Sequence, residues 1–223
     1  VNNKIYVVGL TGQSGAGKST VSEVLRAHKI DVIDCDGVAR DVVEKEKNCL
    51  ADLALEFTIA ILNADGSLNR KRLGAMVFGN PERLKKLNEI IFPYIRREVD
   101  RKVAELEKQG RPIAVLDAPT LFDSGGDAAC DYIVSVISPE KDRLNRIMVR
   151  DHLTDDEARR RLKSQHDDRF FIERSQHVIT NNATYEDLRI KALELVERLI
   201  RRAETVRNKQ TTPTSDTKPK GDH

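Results

Sequence analysis

Residues Gly12 to Ser19 read Gly-Gln-Ser-Gly-Ala-Gly-Lys-Ser, which is the phosphate-binding pattern of glycine, any four residues, glycine, lysine and a hydroxyl residue. A triphosphate carries several negative charges, and a loop surrounds it with backbone N–H donors only where no Cβ holds the chain away, hence Gly12, Gly15 and Gly17. Lys18 adds a mobile point charge, and Ser19 offers a hydroxyl to Mg²⁺. The context agrees. The apolar run Ile5-Tyr6-Val7-Val8 precedes the loop, and Val21, Val24, Leu25 and His28 follow at helical spacing. A helix that begins near Gly17 turns the positive end of its dipole toward the same phosphates. The nucleotide-binding residues on this reading are Gly12, Gly15, Ala16, Gly17, Lys18, Ser19 and Thr20.

The rest of the chain alternates strand and helix. Ile30-Asp31-Val32-Ile33-Asp34-Cys35-Asp36 is a β-rich run that ends in carboxylates, so strand, helix and strand make a βαβ unit with parallel strands. Open parallel sheets bind ligands beyond the carboxyl ends of their strands, which places the glycine-rich loop, Asp34 and Asp36 on one rim. Pro112 to Asp117 is a further apolar run that ends in an aspartate, and Asp117 is a second candidate for a place near Mg²⁺. Tyr132 to Ile137 and His177 to Thr180 are the remaining strand candidates.

Between the second and third runs some sixty residues turn helical. Asn69 is placed to cap a helix carrying Leu73, Met76 and Val77 that stops at Gly79, and Asn80-Pro81 opens another. That second helix carries Leu84, Leu87 and Ile91, is broken or kinked at Pro93, and resumes with Ile95, Val99, Val103 and Leu106. This is too much for a simple crossover, so it reads as an inserted helical subdomain. After Pro139 come arginine-rich helices, one opened by the capping box Thr154-Asp155-Asp156-Glu157. Their arginines are interleaved with acids and read mostly as solvated ion pairs, with one or two reaching a phosphate. A final helix, started by Thr184 and Asp187, shows Leu188, Ala192, Leu195, Val196 and Leu199 on one face. The expected division is a nucleotide-binding core of residues 1–47, 111–138 and 176–207, a helical substrate domain of 48–110, a lid of 139–175 and a disordered tail of 208–223, where no apolar residue remains.

Composition narrows the class. Charged residues make up 33% and hydrophobic residues 39%, and no stretch approaches the ~20 apolar residues of a membrane span. A net charge of +2 argues for neither nucleic acid nor membrane as partner. Val1-Asn2-Asn3-Lys4 runs straight into the first apolar stretch and leaves no room for a signal peptide, so the expectation is a cytoplasmic monomer or weak homo-oligomer. Cys35, Cys49 and Cys130 are odd in number and lack a Cys-x-x-Cys spacing, which disfavours a disulfide framework or a zinc site.

Several separated stretches together resemble the dephospho-coenzyme A kinase family, from about Ile5 to Leu199. They are Gly9 to Thr20, Asp34-Cys35-Asp36 with Ala39-Arg40, Asp65 to Arg70 with Leu73, Val77-Phe78, Leu87-Asn88 and Pro93, Asp117-Ala118-Pro119 with Leu121-Phe122, Arg143 to Arg150, and Gln165. The resemblance implies an α/β, three-layer P-loop kinase fold with a parallel sheet core, an inserted helical substrate domain and a mobile helical lid. It also implies ATP on the P-loop, dephospho-coenzyme A as acceptor, Asp36 as catalytic base and Arg40 in contact with substrate. Lys18 and lid arginines, Arg150 first among them, would neutralise the transferring group. The chain departs from the family's usual residues at Phe92 (often His), Asp123 (Glu) and Lys29 (Gly). Two rivals are weighed. A shikimate-like kinase also places Asp-x-Asp after its second strand but does not need the insertion, and a regulatory GTPase should show Asn-Lys-x-Asp, which this chain lacks.

Overall fold

Period-two alternation in the apolar runs determines how the layers form. The computed structural model describes residues 4–211. Among them five strands form one sheet: β1 (Tyr6–Gly12), β2 (Asp31–Asp34), β3 (Ile113–Asp117), β4 (Tyr132–Ile137) and β5 (His177–Thr180). The order is β2-β3-β1-β4-β5, and every pairing is parallel. Tyr6, Val8 and Leu10 of β1 pack on helices α1 (Lys18–Ala27) and α9 (Tyr185–Thr211) through Val21, Leu25, Leu188 and Leu195. Ile5 and Val7 point the other way and join Ala114 and Leu116 of β3 against α2 (Cys35–Lys45), α3 (Lys47–Phe57) and α5 (Pro81–Lys108). With both faces covered, the central strands β1, β3 and β4 are buried throughout, which is why they read as nearly continuous apolar runs. Leu10, Leu25 and Leu195 are almost wholly buried; each such side chain stabilises the fold by about 1.5–3 kcal/mol. The strand and helix that flank the glycine-rich loop are therefore firmly anchored.

The insertion expected between β2 and β3 is present. It comprises α3, a 3₁₀ turn at Ile59–Ile61, α4 (Arg70–Val77) and α5. Asn69 caps α4 by accepting from the Arg72 N–H at 3.0 Å, and Asn80 caps α5 by accepting from the Arg83 N–H at 3.1 Å. Of the break or kink expected at Pro93, the break is absent: α5 runs from Pro81 to Lys108 with the proline inside it. Pro93 is exposed, while Ile91, Ile95 and Val99 on both sides of it pack into one cluster with α2 and α3. Tyr94 also donates its hydroxyl to Asp52 of α3, fastening the helix just past the proline. Tertiary packing outweighs the local cost, which is roughly 3 kcal/mol for an interior proline.

Three smaller differences appear. His28 lies exposed at the end of α1 rather than on its buried face. A short helix that the sequence does not announce, α8 (Asp168–Arg174), packs on β4 and β5. The last helix, α9, reaches Thr211, past Asn208 where the tail was expected to begin, and residues 212–223 of that tail lie outside the described residues.

Candidate active site

The loop after β1 is held from behind by its neighbours. Gly12 has φ +142, and the Val136 carbonyl occupies the place a Cβ would take, so this position admits only glycine. The buried Asn181 side chain donates to the Ala16 carbonyl at 2.8 Å. Gln13, also buried, donates to Asp168 at 2.8 Å and to the His166 carbonyl at 3.2 Å. Asn181, His166 and Asp168 lie far from the loop in sequence, and their bonds to Ala16 and Gln13 fix its path so that Gly17 opens α1.

A cavity of about 1540 Å³ lies over this loop. Single-ligand sites occupy roughly 300–1,000 Å³, so this one has room for two. Gly12, Gly15, Gly17, Lys18 and Ser19 line it, as do Asp36 and Ala39 of α2. Ala16 is buried beneath the loop, and Thr20 lies off the wall. Arg40 also stands off the wall, on the exposed side of α2, where its Nη2 donates to Asp34 at 3.5 Å.

The two aspartates after β2 differ as the end of the strand dictates. The strand stops at Asp34, whose carboxylate accepts from the Gly37 N–H at 3.0 Å and caps α2. Asp36 sits in the first turn of α2 and faces the hollow. Desolvation by the surrounding walls pushes its carboxyl above the ordinary range; Lys18 and Arg40 pull it down, and Asp34 and Asp117 push it up. Cys35 between them is pushed to about 12, first by burial and then by the same carboxylates, so it stays a protonated thiol that fills space. All three cysteines are unbridged.

Lys18 reaches across to Asp117 at the end of β3 and makes an ion pair with it. The other Asp117 oxygen accepts from the Ser22 hydroxyl at 2.6 Å. The β3 carboxylate and the loop lysine thus compensate each other in a largely buried position.

The opposite wall comes from α6 (Glu140–Asp151) and α7 (Asp155–Lys163), which share the small core of Leu144, Ile147, Ala158 and Leu162. Thr154 and Glu157 form the expected capping box, with bonds of 2.9 and 3.4 Å. Arg159 and Arg169 are exposed ion-pair partners of Asp155 and Glu173, as the interleaving implies. Arg146, Arg150 and Arg161 instead line the cavity. Arg150 donates to the Ser14 hydroxyl at 3.3 Å while also holding Asp151. Arg146 donates to the Gly15 carbonyl and to Ser138, both at 3.0 Å; sequence reading did not single it out, because nothing local distinguishes it from its neighbours. After α7, Gln165 accepts from the Ser14 N–H at 3.0 Å, and His166 stacks on Phe170 at 3.7 Å with its Nε2 2.8 Å from Asp123. The cavity therefore presents cations around the loop and a carboxylate facing them, which suits a polyphosphate beside a hydroxyl acceptor.

The dephospho-CoA kinase family model matches residues 6–187 of the chain. The dephospho-CoA kinase of Corynebacterium efficiens is 40% identical over 195 residues, covering 87% of this chain and 98% of that protein. Among solved structures, TT1252 of Thermus thermophilus aligns with a TM-score of 0.74 at 31% identity, over 87% of this chain and 97% of its own. The dephospho-CoA kinase of Campylobacter jejuni aligns with a TM-score of 0.66 at 26% identity, over 86% and 96%.

Proposed function

Because the chain belongs to the dephospho-CoA kinase family, we propose that it transfers the γ-phosphoryl group of ATP to the ribose 3′-hydroxyl of dephospho-coenzyme A, giving coenzyme A and ADP, the last step of coenzyme A synthesis. The observation that carries this reading is one two-ligand cavity in which Lys18 and the arginines of α6 face Asp36. Phosphoryl transfer needs alignment and charge neutralisation more than covalent work from the protein. Lys18 turns from Asp117 to the β and γ phosphates, Arg146 and Arg150 meet the transferring group, and the loop N–H groups hold the rest. Asp36 accepts the proton of the 3′-hydroxyl; its carboxyl, raised by desolvation, is a better acceptor than an ordinary carboxylate. Arg40 contacts the acceptor after leaving Asp34.

Mg²⁺ fits the donor set. Among the described residues no cluster of three or more His, Cys, Asp or Glu could hold a metal, but this ion accepts one or two protein oxygens and completes its shell with phosphate and water. Ser19 and Asp117 would supply those oxygens, and when bound the ion would neutralise charge developing on the phosphates. Among the described residues no helix is long and apolar enough to cross a membrane. We place the reaction in the cytoplasm, with the chain acting as a monomer or weak homo-oligomer.

The deciding experiment is a coupled assay of ADP release with dephospho-coenzyme A, shikimate, or no acceptor. Only the first should support turnover; equal rates with and without acceptor would reduce the chain to an ATPase. A related expectation concerns α6, α7 and the segment after them. Amide exchange across residues 143–174 should slow when ATP and acceptor bind together, because closure adds contacts to those already made by Gln165 and Arg150. Unchanged exchange would mark these helices as a static, ion-paired surface.

A further inference from the structure

A second hollow, of about 900 Å³, lies along α5 on its solvent side. Leu84, Asn88, Phe92, Arg96, Asp100 and Asp123 line both hollows, so the groove abuts the main cavity along one stripe of the helix. Its outer wall is Pro81, Lys85, Glu89, Pro93 and Arg97, all exposed. At the boundary Arg96 spends Nη2 on the carbonyls of Ser124 and Gly125, at 3.4 and 3.2 Å. A guanidinium carries five N–H donors in a planar fork, so others remain to meet an anion.

The acceptor named above is longer than the nucleoside that must meet Asp36. A diphosphate on its 5′ carbon leads to a flexible arm that carries a branched apolar centre, two amides and a terminal sulfur. The groove presents matching chemistry in the same sequence. Arg96 stands where the hollows meet, with Asp100 and Asp123 beside it; apolar Leu84, Phe92, Pro81 and Pro93 follow, and amide or charged partners at Asn88, Lys85 and Glu89 alternate with them.

We propose that the α5 groove holds the arm of the acceptor with its sulfur end at the protein surface, so that the chain phosphorylates dephospho-coenzyme A bearing an acyl group on sulfur as readily as the free thiol. This rests on the functional reading above. The reaction is unchanged: the 3′ oxygen bonds to phosphorus, the bond to the ADP oxygen breaks, the proton goes to Asp36, and the thioester takes no part.

Initial rates with the 223-residue chain test this, with dephospho-coenzyme A and its acetyl and hexanoyl thioesters as acceptors. The kcat/KM values should agree within about threefold, and a loss beyond about tenfold for a thioester would show an enclosed sulfur and overturn the proposal. A second arm fills the groove with Glu89→Trp, on the exposed face of α5. This change should raise KM for dephospho-coenzyme A about tenfold or more with kcat nearly unchanged, and leave KM for the armless acceptor adenosine 5′-monophosphate where it was. Equal changes with both acceptors, or none with either, would remove the arm from the groove. If wild-type chain phosphorylates none of these acceptors, the functional reading itself has failed; if it phosphorylates the thiol alone, only the groove has.

Discussion

A Lys18→Ala chain is expected to lose at least about a hundredfold in kcat, the scale seen when a preorganised donor to a developing anion is removed. The structure adds a complication. Lys18 is the ion-pair partner of Asp117, and deleting it leaves that largely buried carboxylate with only the Ser22 hydroxyl. Part of any activity loss could then be lost folding. The double variant Lys18→Ala/Asp117→Asn removes the stranded charge, so its thermal midpoint should return toward wild type while its turnover stays well below that of Asp117→Asn alone, the baseline for a chain without that carboxylate at Mg²⁺. Recovery of turnover along with stability would show that Lys18 acts through the fold and not on the phosphates.

Asp36→Asn should depress kcat by about two to four orders of magnitude, the range for a general base, with ATP affinity little changed. Its effect on stability has the opposite sign from the usual loss of a buried charge. A carboxyl whose folded pKa is raised binds its proton more tightly in the folded state, so it weakens the fold as pH rises above the unfolded value. Asp36→Asn removes that penalty and should leave the midpoint at neutral pH equal or higher. Asp34 behaves differently. It caps α2, so Asp34→Ala should cost about 0.5–2 kcal/mol of stability whereas Asp34→Asn keeps the cap. Because Asp34 also pushes the Asp36 carboxyl up, Asp34→Asn should move the acid limb of the kcat/KM profile to lower pH. An acid limb that stays put in Asp34→Asn and survives in Asp36→Asn would assign the base elsewhere.

How far residues alone reached depended on how local the cause was. Glycine-rich loop, β-branched runs and the caps at Asn69, Asn80 and Thr154 act within a few positions, and each stands where expected. Which of Asp34 and Asp36 caps α2 was not readable, since both stand just ahead of the helix's apolar residues; the structure gives the cap to Asp34 and leaves Asp36 in the first turn. What else could not be read depends on distant partners. Asn181 and Gln13 are polar residues in a core only because they bond to Ala16 and Asp168, more than a hundred positions away. Pro93 looks like a break until α2 and α3 are known to clamp both sides of it. The run Arg169-Phe170-Phe171-Ile172 gives α8 no helical period, because Phe171 alone is buried there and Phe170 turns to His166.

The unbroken α5 has a mechanical result. Val99 is its buried residue, and Leu87, Ile90, Ile91, Tyr94 and Ile95 pack on the same cluster, so the helix is held from Leu87 onward and only the stretch from Pro81 to that point, about 9 Å at the helical rise, is a free end. Held along that length, α5 shifts as one rod only together with α2 and α3, which pack on it. Leu84 and Asn88, near that free end, border both hollows. The aperture between them is thus set along the held length, where Tyr94 grips Asp52, and substitutions at that distant clamp should retune it without touching either ligand.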